Sequence, residues 1–473
     1  MHHRLHGLRI VTDNKKLDLI KGLGPWATMA MVVGHIIGTG VFLKPREMAD
    51  ATHSVGLIFV VWIVGGLLSI AGALSLAELG AAMPQAGGPY VYLTRGLGPR
   101  WGFMFGWMNN LVGKPSSIST IAAGFLIFLS FFFPWMKETI VKIPIPVPGA
   151  AEPYMFNFTW AQPLAALAII FMTSINYLGV RLAGRLQVVL TTIKVSSILA
   201  VVILGFALAE PGAASAWPVF PAAFSGSVLA GFFVAMAGAM WAYDGWIDIT
   251  YAGSEVQNPQ RNLPLAVVGG TVIVGVIYML ANAIYFYVLP VERVATVQNV
   301  ASETVRVFAG ENAAAWITAA MVISAFTTLN SSILTGARVP FAMAREGLFF
   351  RKTATIHPQF HTPAGALVFQ GAFASVMVLT GGFDELANLY IFVQWIFYAL
   401  TVASLFGLRK REPDLPRPYR APGYPVLPVL FILGALGLTV SLFLNMPGRS
   451  TVGLAIMLSG LFFYNRWKDR RLA

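Results

Sequence analysis

Apolar stretches of about 20 residues recur along almost the whole of this chain. A stretch of this length is what an α-helix needs to cross the hydrocarbon core of a bilayer. We count about twelve such stretches in 473 residues, of which 57% are hydrophobic and only 11% are charged. A soluble protein would carry about 25% charged residues. The pattern therefore predicts an all-α polytopic membrane protein whose outer surface faces the lipid bilayer.

The basic residues divide unevenly between the two sides of the predicted membrane domain. With twelve spans and both ends on one side, about 23 of the 32 Lys and Arg lie on the side of the N-terminus and about 7 lie opposite. Cytoplasmic loops are enriched in Lys and Arg, so we expect both termini in the cytoplasm of a multi-pass protein of the inner (plasma) membrane. The net charge of +12 then reflects orientation, and we expect no nucleic-acid partner.

Two of the predicted spans are interrupted within their apolar stretches. The first span is broken at Gly38, Thr39 and Gly40, and the sixth is broken at 242–246. Each Gly costs about 1 kcal/mol in a helix interior. Backbone left unpaired in hydrocarbon would cost several kcal/mol per group, so a break must face a cavity or lie buried in protein. The breaks therefore predict a polar site at membrane depth.

The two interrupted spans lie five spans apart, which predicts an internal repeat. Discontinuous segments at corresponding positions of two halves indicate the binding site of an inverted-repeat transporter. An odd number of spans per half inverts the second half. We therefore predict a 5+5 inverted repeat plus two C-terminal helices. The expected organisation is a cytoplasmic N-terminal segment (1–21), a ten-helix core (22–408), a cytoplasmic loop (409–424), helices 11 and 12 (425–467) and a cytoplasmic tail (468–473). Within the core we expect external loops at 134–160, which is rich in Pro and polar residues, and at 290–312.

The first break offers groups of both polarities to a small solute. Gly38, Thr39 and Gly40 would present backbone N–H groups and one hydroxyl to a carboxylate. The end of the preceding half-helix, around Ile36 and Ile37, would present free carbonyls to an ammonium group. This arrangement favours a zwitterion. The alternative is a glycine pair that lets two membrane helices approach closely.

Lys194 lies midway along the predicted fifth span. A Lys at the centre of a membrane helix costs about 3 kcal/mol on insertion scales, so it needs a partner or a function. One hypothesis is a fixed ammonium that replaces a bound sodium ion and ties the fifth span to the break in the first. A second is a proton carrier. The alternative is a structural hydrogen-bond donor with no role in transport.

Other polar residues in the spans have two interpretations each. Asp244 could receive a substrate ammonium, with Trp241, Tyr243 and Trp246 as cavity walls, or it could cap the second half-helix. His35 could sense pH or form a packing hydrogen bond. The remaining two candidates, which could bridge helices or line the path, are Asn330 and Ser331 in the eighth span.

Catalytic and metal-binding patterns are missing from the sequence. The chain has no cysteine, which excludes disulfides and thiolate metal sites. It also has no nucleophile-elbow motif, phosphate loop or zinc-ligand pattern. We therefore expect no enzyme activity, no metal and no cofactor.

Four sets of motifs occur in a fixed order along the chain. They are Gly34–Phe42 in the first span, Trp107 with Lys114–Ser117 in the third, Ala242–Trp246 with Glu255 and Asn258–Pro264 around the sixth, and Asn330–Ser332 with Arg338 and Ala344–Gly347 in the eighth. Together they resemble the amino acid–polyamine–organocation superfamily, in particular a bacterial member of the L-amino acid transporter family. The resemblance covers almost the whole chain.

This resemblance implies the LeuT-like fold and sodium-independent transport of neutral L-amino acids by alternating access. Many members of the family exchange one amino acid for another. By the resemblance, Gly38, Thr39 and Gly40 would bind the substrate α-carboxylate. Carbonyls of Ile36, Trp241 and Asp244 would bind the α-amino group, under the Trp241 ring as a gate. Lys194 matches the fifth-helix Lys that takes the place of a sodium site.

The chain also departs from the family pattern. Ile247 stands where eukaryotic members often have Asn or Asp, and Asp244 replaces a frequent small residue. Eukaryotic members join a partner glycoprotein through a cysteine, so we expect no disulfide-linked subunit here. Two other kinds of transporter stay open: a proton-coupled importer, and a carrier of cationic amino acids or amines. Outside transport, the alternatives are a substrate-sensing receptor with little flux and, less plausibly, a membrane enzyme.

Overall fold

The protein is described by a computed structural model that covers residues 19–145, 154–210, 219–221 and 225–468. Within these residues, nine helical segments are long and apolar enough to cross a membrane. Two shorter apolar helices and a C-terminal helix of 22 residues complete the twelve predicted spans. The polytopic helical fold is confirmed. The terminal segments 1–21 and 468–473 fall largely outside the described residues.

The first half of the core contains spans one to five. Span one consists of two helices, and span three is divided by a π-helical turn. The elements are α1 (Pro25–Ile36) and α2 (Gly40–Thr52) in span one, α3 (Val55–Ala82) in span two, a short α4 (Pro89–Gly96), α5 (Pro99–Met108), the π-turn (Asn109–Gly113) and α6 (Lys114–Leu129) in span three, α7 (Ala161–Tyr177) in span four and α8 (Val180–Leu208) in span five.

The second half begins after five spans, so it runs through the membrane in the opposite orientation. Its elements are α9 (Gly226–Tyr243) and a 3₁₀-helix (Asp248–Glu255) in span six, α10 (Pro259–Pro264), a π-turn (Leu265–Gly269) and α11 (Gly270–Val288) in span seven, α12 (Val291–Thr296), α13 (Val300–Gly336) and α14 (Arg338–Arg345) in span eight, α15 (Ala364–Met377) in span nine and α16 (Phe383–Arg411) in span ten. Outside the repeat, α17 (Val426–Asn445) and α18 (Pro447–Lys468) follow.

Corresponding spans of the two halves make corresponding contacts. In the first half, Lys194 of α8 donates hydrogen bonds to the broken backbone of span one. In the second half, Tyr390 and Tyr398 of α16 donate hydrogen bonds to Asp244 at the break of span six. In each half the fifth span therefore holds the broken first span. This is the relationship expected of a 5+5 inverted repeat.

A small antiparallel hairpin interrupts the otherwise helical chain. Strand β1 (Thr139–Ile145) pairs with β2 (Tyr154–Thr159) between spans three and four. The sequence predicts only a Pro-rich and polar loop here. The β-branched residues typical of strands occupy a segment too short to stand out beside the membrane spans. We call the side of the molecule that carries this hairpin the hairpin face, and the side where α1 begins the N-terminal face.

The connection before span eight also contains more helix than the sequence predicts. A loop over 290–312 was expected, whereas α12 and the first turns of α13 occupy most of it. Gly310, with φ of +80°, bends α13 between this part and the spanning part. A hydropathy criterion misses such helices because they do not cross the apolar layer.

Candidate functional site

The breaks of spans one and six lie against each other in the centre of the core. A Cβ on Gly40 would lie 2.6 Å from the Cα of Ala242, so the two backbones are as close as a glycine permits. A small cavity of about 20 Å³ lies between the breaks, with room for about one water molecule. Its lining residues are His35, Ile36, Gly38, Thr39, Gly40, Ser117, Ile121, Trp241, Asp244 and Thr328.

The N-terminus of α2 presents unsatisfied donors at this cavity. Among the described residues, the backbone N–H groups of Thr39, Gly40 and Val41 have no hydrogen-bond acceptor. The Thr39 hydroxyl is buried and also has no partner there. The Gly38 N–H instead donates to the Ile36 carbonyl at 2.7 Å. Free N–H groups at a helix N-terminus attract an anion, so this end of α2 suits a carboxylate.

Carbonyl oxygens of both breaks supply the opposite polarity. The Asp244 carbonyl accepts no hydrogen bond within the described part of the chain, and the Trp241 carbonyl accepts only the Asp244 N–H at 3.2 Å. The Ile36 carbonyl differs, because it already accepts the Tyr278 hydroxyl at 2.7 Å and the Gly38 N–H. The arrangement leaves the carbonyls of span six as the better acceptors for an ammonium group.

Lys194 of α8 binds the broken backbone of span one. Its Nζ donates to the carbonyls of Gly34 at 2.8 Å and Ile37 at 2.5 Å, and to the Thr328 hydroxyl at 3.2 Å. The side chain is 1% exposed. Gly34 allows this contact, since a Cβ there would overlap the side chains of Thr191 and Gln187 on α8. The ammonium therefore binds the break to α8 with hydrogen bonds that a charged donor strengthens.

Asp244 follows the end of α9 and lines the cavity. Its two oxygens accept hydrogen bonds from Tyr390 at 2.6 Å and Tyr398 at 2.8 Å. The N-cap interpretation is wrong, because Asp244 follows the last residue of α9 and Ile247 precedes the 3₁₀-helix. Gly245 turns the chain here with φ of +115°, where a Cβ would lie 2.6 Å from the His35 ring. Only glycine suits that position.

A buried cluster of three ionisable groups lies beside the cavity. Asp248 forms an ion pair with Lys114, and its Oδ2 lies 3.0 Å from His35 Nε2. All three side chains are buried, while Ser117 and His35 also line the cavity. At the end of the π-turn, the backbone N–H of Lys114 donates a hydrogen bond to the Asn109 carbonyl. The cluster thus connects spans one, three and six.

The predicted aromatic walls separate into two groups. Trp241 lines the cavity, and its ring packs edge-on against Phe383 at 6.0 Å and Tyr390 at 5.6 Å. Tyr243 lies on the other side of α9, where its hydroxyl donates to the Trp62 carbonyl at 3.1 Å. Trp246 is fully buried against Tyr398 and α17. Of these three aromatic side chains, Trp241 is therefore the one that lines the cavity.

Asn330 and Ser331 lie outside the cavity lining. Asn330 accepts a hydrogen bond from Asn176 of α7 at 3.0 Å and donates one to Gln187 of α8 at 3.0 Å. The Ser331 hydroxyl donates to the Thr328 carbonyl within α13 at 3.2 Å. In this structure Asn330 therefore bridges three helices, which is the first of its two predicted interpretations.

Ion pairs close the core on both sides of the cavity. Toward the N-terminal face, Arg338 binds Glu255 through two hydrogen bonds of 2.6 and 2.8 Å, and both side chains are buried. Toward the hairpin face, Lys44 Nζ lies 2.9 Å from Asp384 and 5.3 Å from the centre of the Phe383 ring. One ion pair therefore lies on each side of the cavity.

The residues of the site that were missed from the sequence include Ile121, Tyr278, Thr328, Tyr390 and Tyr398. Thr328 has a detectable signal, since it lies one helical turn from Ser324 on a polar stripe of α13. The two tyrosines of α16 are eight residues apart on one helix face, although nothing in the sequence tells which face meets span six. Among the described residues, no group of three His, Asp or Glu could hold a metal ion.

The chain is similar to known proteins over almost its whole length. The family model described as amino acid permease matches residues 23–463. The chain is 32% identical to the b(0,+)-type amino acid transporter 1 of Mus musculus over 464 residues, covering 96% of this chain and 89% of the relative. It is 30% identical to the serine/threonine exchanger SteT of Bacillus subtilis, covering 96% and 98%. It is also 29% identical to the human cystine/glutamate transporter, covering 97% and 86%.

Proposed function

Because this chain belongs to the amino acid permease family, we propose that it exchanges neutral L-amino acids across the inner (plasma) membrane, independently of sodium, by alternating access. One observation carries the proposal: the cavity between the two breaks is lined by Thr39 and Gly40, whose backbone N–H groups have no acceptor among the described residues, and by Asp244, whose carbonyl accepts no hydrogen bond there. This pairing matches the carboxylate and ammonium of an α-amino acid. A bound zwitterion would satisfy backbone groups that are otherwise left unpaired in a dry core.

Sodium independence follows from the position of the Lys194 ammonium. It occupies the two carbonyls and the hydroxyl that a sodium ion would need at the first break. A fixed cation balances the partial negative charge of these oxygens in every step of the transport cycle, so no sodium ion needs to bind or leave. The expected result is equal flux when choline replaces sodium.

Exchange fits the small volume of the cavity. With about 20 Å³ the cavity is too small for any amino acid, so the core must expand to admit one. A substrate that satisfies the broken backbones stabilises the expanded core, whereas an empty carrier gains no such contacts. Return with a second amino acid is therefore favoured over return without one. Two relatives, the serine/threonine exchanger SteT and the cystine/glutamate transporter, carry names consistent with amino-acid transport.

A second candidate, a carrier of cationic amino acids or amines, is favoured by the Asp244 carboxylate at the cavity. We rank it second because both oxygens of Asp244 already accept hydrogen bonds from tyrosines, which hold the carboxylate in place. A competition panel of the common amino acids against one labelled substrate separates the two. Competition by neutral amino acids supports the proposal, and competition confined to lysine, arginine or amines supports the second candidate.

Transport assays on vesicles that contain the protein test the remaining alternatives. A proton-coupled importer would respond to an imposed pH gradient, and insensitivity to the gradient argues against proton coupling. Binding without flux would indicate a receptor. Recovery of a chemically altered solute would indicate an enzyme. We expect flux of unaltered amino acid that does not depend on the gradient.

A further inference from the structure

A concave groove with three basic side chains lies on the N-terminal face, apart from the substrate cavity. It runs between the start of α1 and the first two turns of α8, with a volume of about 440 Å³. Lys21 lines one wall, and Arg181 and Arg185 line the other. No acidic side chain among the described residues lines it.

Backbone hydrogen bonds hold the Lys21 wall in place. The Leu23 N–H donates to the Glu255 carbonyl at 3.0 Å, and the Gln257 N–H donates to the Leu23 carbonyl at 2.9 Å. Gln257 also donates from its side chain to the Lys21 carbonyl at 3.4 Å. The segment before α1 is thus fixed beside span six rather than left as a free strand. The groove is therefore a built feature of the fold.

The three basic side chains of the groove can together bind an anion. Within the described residues, none of the three has an ion-pair partner. Arg181 and Arg185 are four residues apart on α8, so their like charges lie on one helix face and repel each other. The N-terminus of α8, preceded by Gly179 without a side-chain cap, adds free N–H groups beside Arg181.

The surroundings of the groove indicate which kind of anion binds there. Trp26 lines it and is 80% exposed, as expected of an aromatic residue at a membrane interface. Further along α8 from Arg181, the apolar side chains of Val189 and Ile193 are exposed outward, where acyl chains would lie. We propose that the groove binds the phosphate-bearing headgroup of an anionic phospholipid, with its acyl chains along α8. Basic pockets between membrane helices are suited to such headgroups.

Thermal unfolding of the purified full chain in detergent tests this site. The probes are short-chain phosphatidylglycerol, short-chain phosphatidylcholine and inorganic phosphate. We expect phosphatidylglycerol alone to raise the melting temperature saturably. In the double variant Arg181→Gln/Arg185→Gln, the apparent dissociation constant should rise about thirtyfold, from two lost headgroup cations. The matched control is Arg466→Gln/Lys468→Gln, which removes two exposed cations from the end of α18 on the same face.

Three outcomes would overturn the proposal. In the first, wild type and the double variant have the same apparent dissociation constant for phosphatidylglycerol. In the second, the α18 control loses as much affinity as the double variant. In the third, inorganic phosphate raises the melting temperature as much as phosphatidylglycerol does. If the double variant does not fold, Lys21→Gln takes its place. Lys21 precedes α1 and lies outside any helix, and its loss should weaken phosphatidylglycerol binding about fivefold. An unchanged constant in that variant would also contradict the site.

Discussion

The ammonium of Lys194 on α8 lies 2.8 Å from the carbonyl oxygen of Gly34, one turn before the break in span one. The same ammonium binds the Ile37 carbonyl at 2.5 Å, inside the break itself. One side chain therefore satisfies carbonyls on both sides of the point where α1 ends. It also fixes the position of Thr39 and Gly40, whose N–H groups face the cavity. The account of sodium-independent exchange depends on this contact.

Replacing Lys194 should abolish exchange without unfolding the protein. Lys194→Met keeps the length of the side chain but leaves two buried carbonyls without their charged donor. Each lost charge-assisted hydrogen bond is worth about 1.5–3 kcal/mol, so exchange should fall about a hundredfold or more. Initial exchange rates in vesicles and elution as a single peak in size-exclusion chromatography measure the two effects. Thr192→Ala, an exposed change on the same helix, is the control. Wild-type flux in Lys194→Met would rule out the ion-substitute role.

A single methyl group at Gly40 should separate the two breaks. In Gly40→Ala the new Cβ would lie 2.6 Å from the backbone of Ala242, so one break must shift. Overpacking of this kind costs about 1–3 kcal/mol, and we expect substrate affinity to fall at least about tenfold. Gly437→Ala on α17 is the matched control, because nothing lies within 4 Å of its added Cβ. Equal substrate affinity in both variants would mean that the close contact of the breaks is not needed.

The buried ion pair between Lys114 and Asp248 should behave as one unit in stability measurements. Lys114→Met or Asp248→Leu alone leaves the partner buried without its pair, at a cost of about 3–5 kcal/mol. The double variant Lys114→Met/Asp248→Leu removes both charges and should be more stable than either single variant. Denaturation of the four proteins in one detergent gives the coupling free energy. Additive losses would show that the two side chains do not stabilise each other.

Asp244 should act mainly by holding span six against α16. Asp244→Asn keeps the shape of the side chain and can still accept one tyrosine hydroxyl. We expect exchange of neutral amino acids to fall no more than about tenfold, since each weakened hydrogen bond is worth about 1 kcal/mol. Competition assays on the variant measure the change for each substrate class. If lysine and arginine compete with wild type and lose that ability in Asp244→Asn, the carboxylate selects cations instead.

Much of the fold is readable from the sequence because lipid imposes a strong pattern on it. The ends of α3 and the start of α15 coincide with the apolar stretches, and both breaks lie at glycines within apolar surroundings. The hairpin of β1 and β2 and the early start of α13 were not predicted. Both lie outside the apolar layer, where hydropathy carries no information.

Only part of the candidate site could be predicted from the sequence, and the reason differs from that for the fold. Gly38, Thr39, Gly40 and Lys194 stand out because each is expensive in a membrane helix. Their partners are less conspicuous: Tyr278 is amphipathic and common in such helices, and its role depends on the rotation of α11. Helix rotation is determined by packing between distant spans. For the same reason the sequence shows two acids and a Lys, but not that Asp248 and Lys114 form a pair.

Counterflow in sodium-free proteoliposomes tests the central claim most directly. Vesicles that contain the wild-type protein are loaded with an unlabelled neutral L-amino acid or left empty, and uptake of the labelled amino acid is followed with choline as the only cation outside. The account predicts a transient accumulation of label in loaded vesicles, little uptake in empty ones, and no accumulation with Lys194→Met. Equal uptake by loaded and empty vesicles, or accumulation that requires sodium, would contradict it.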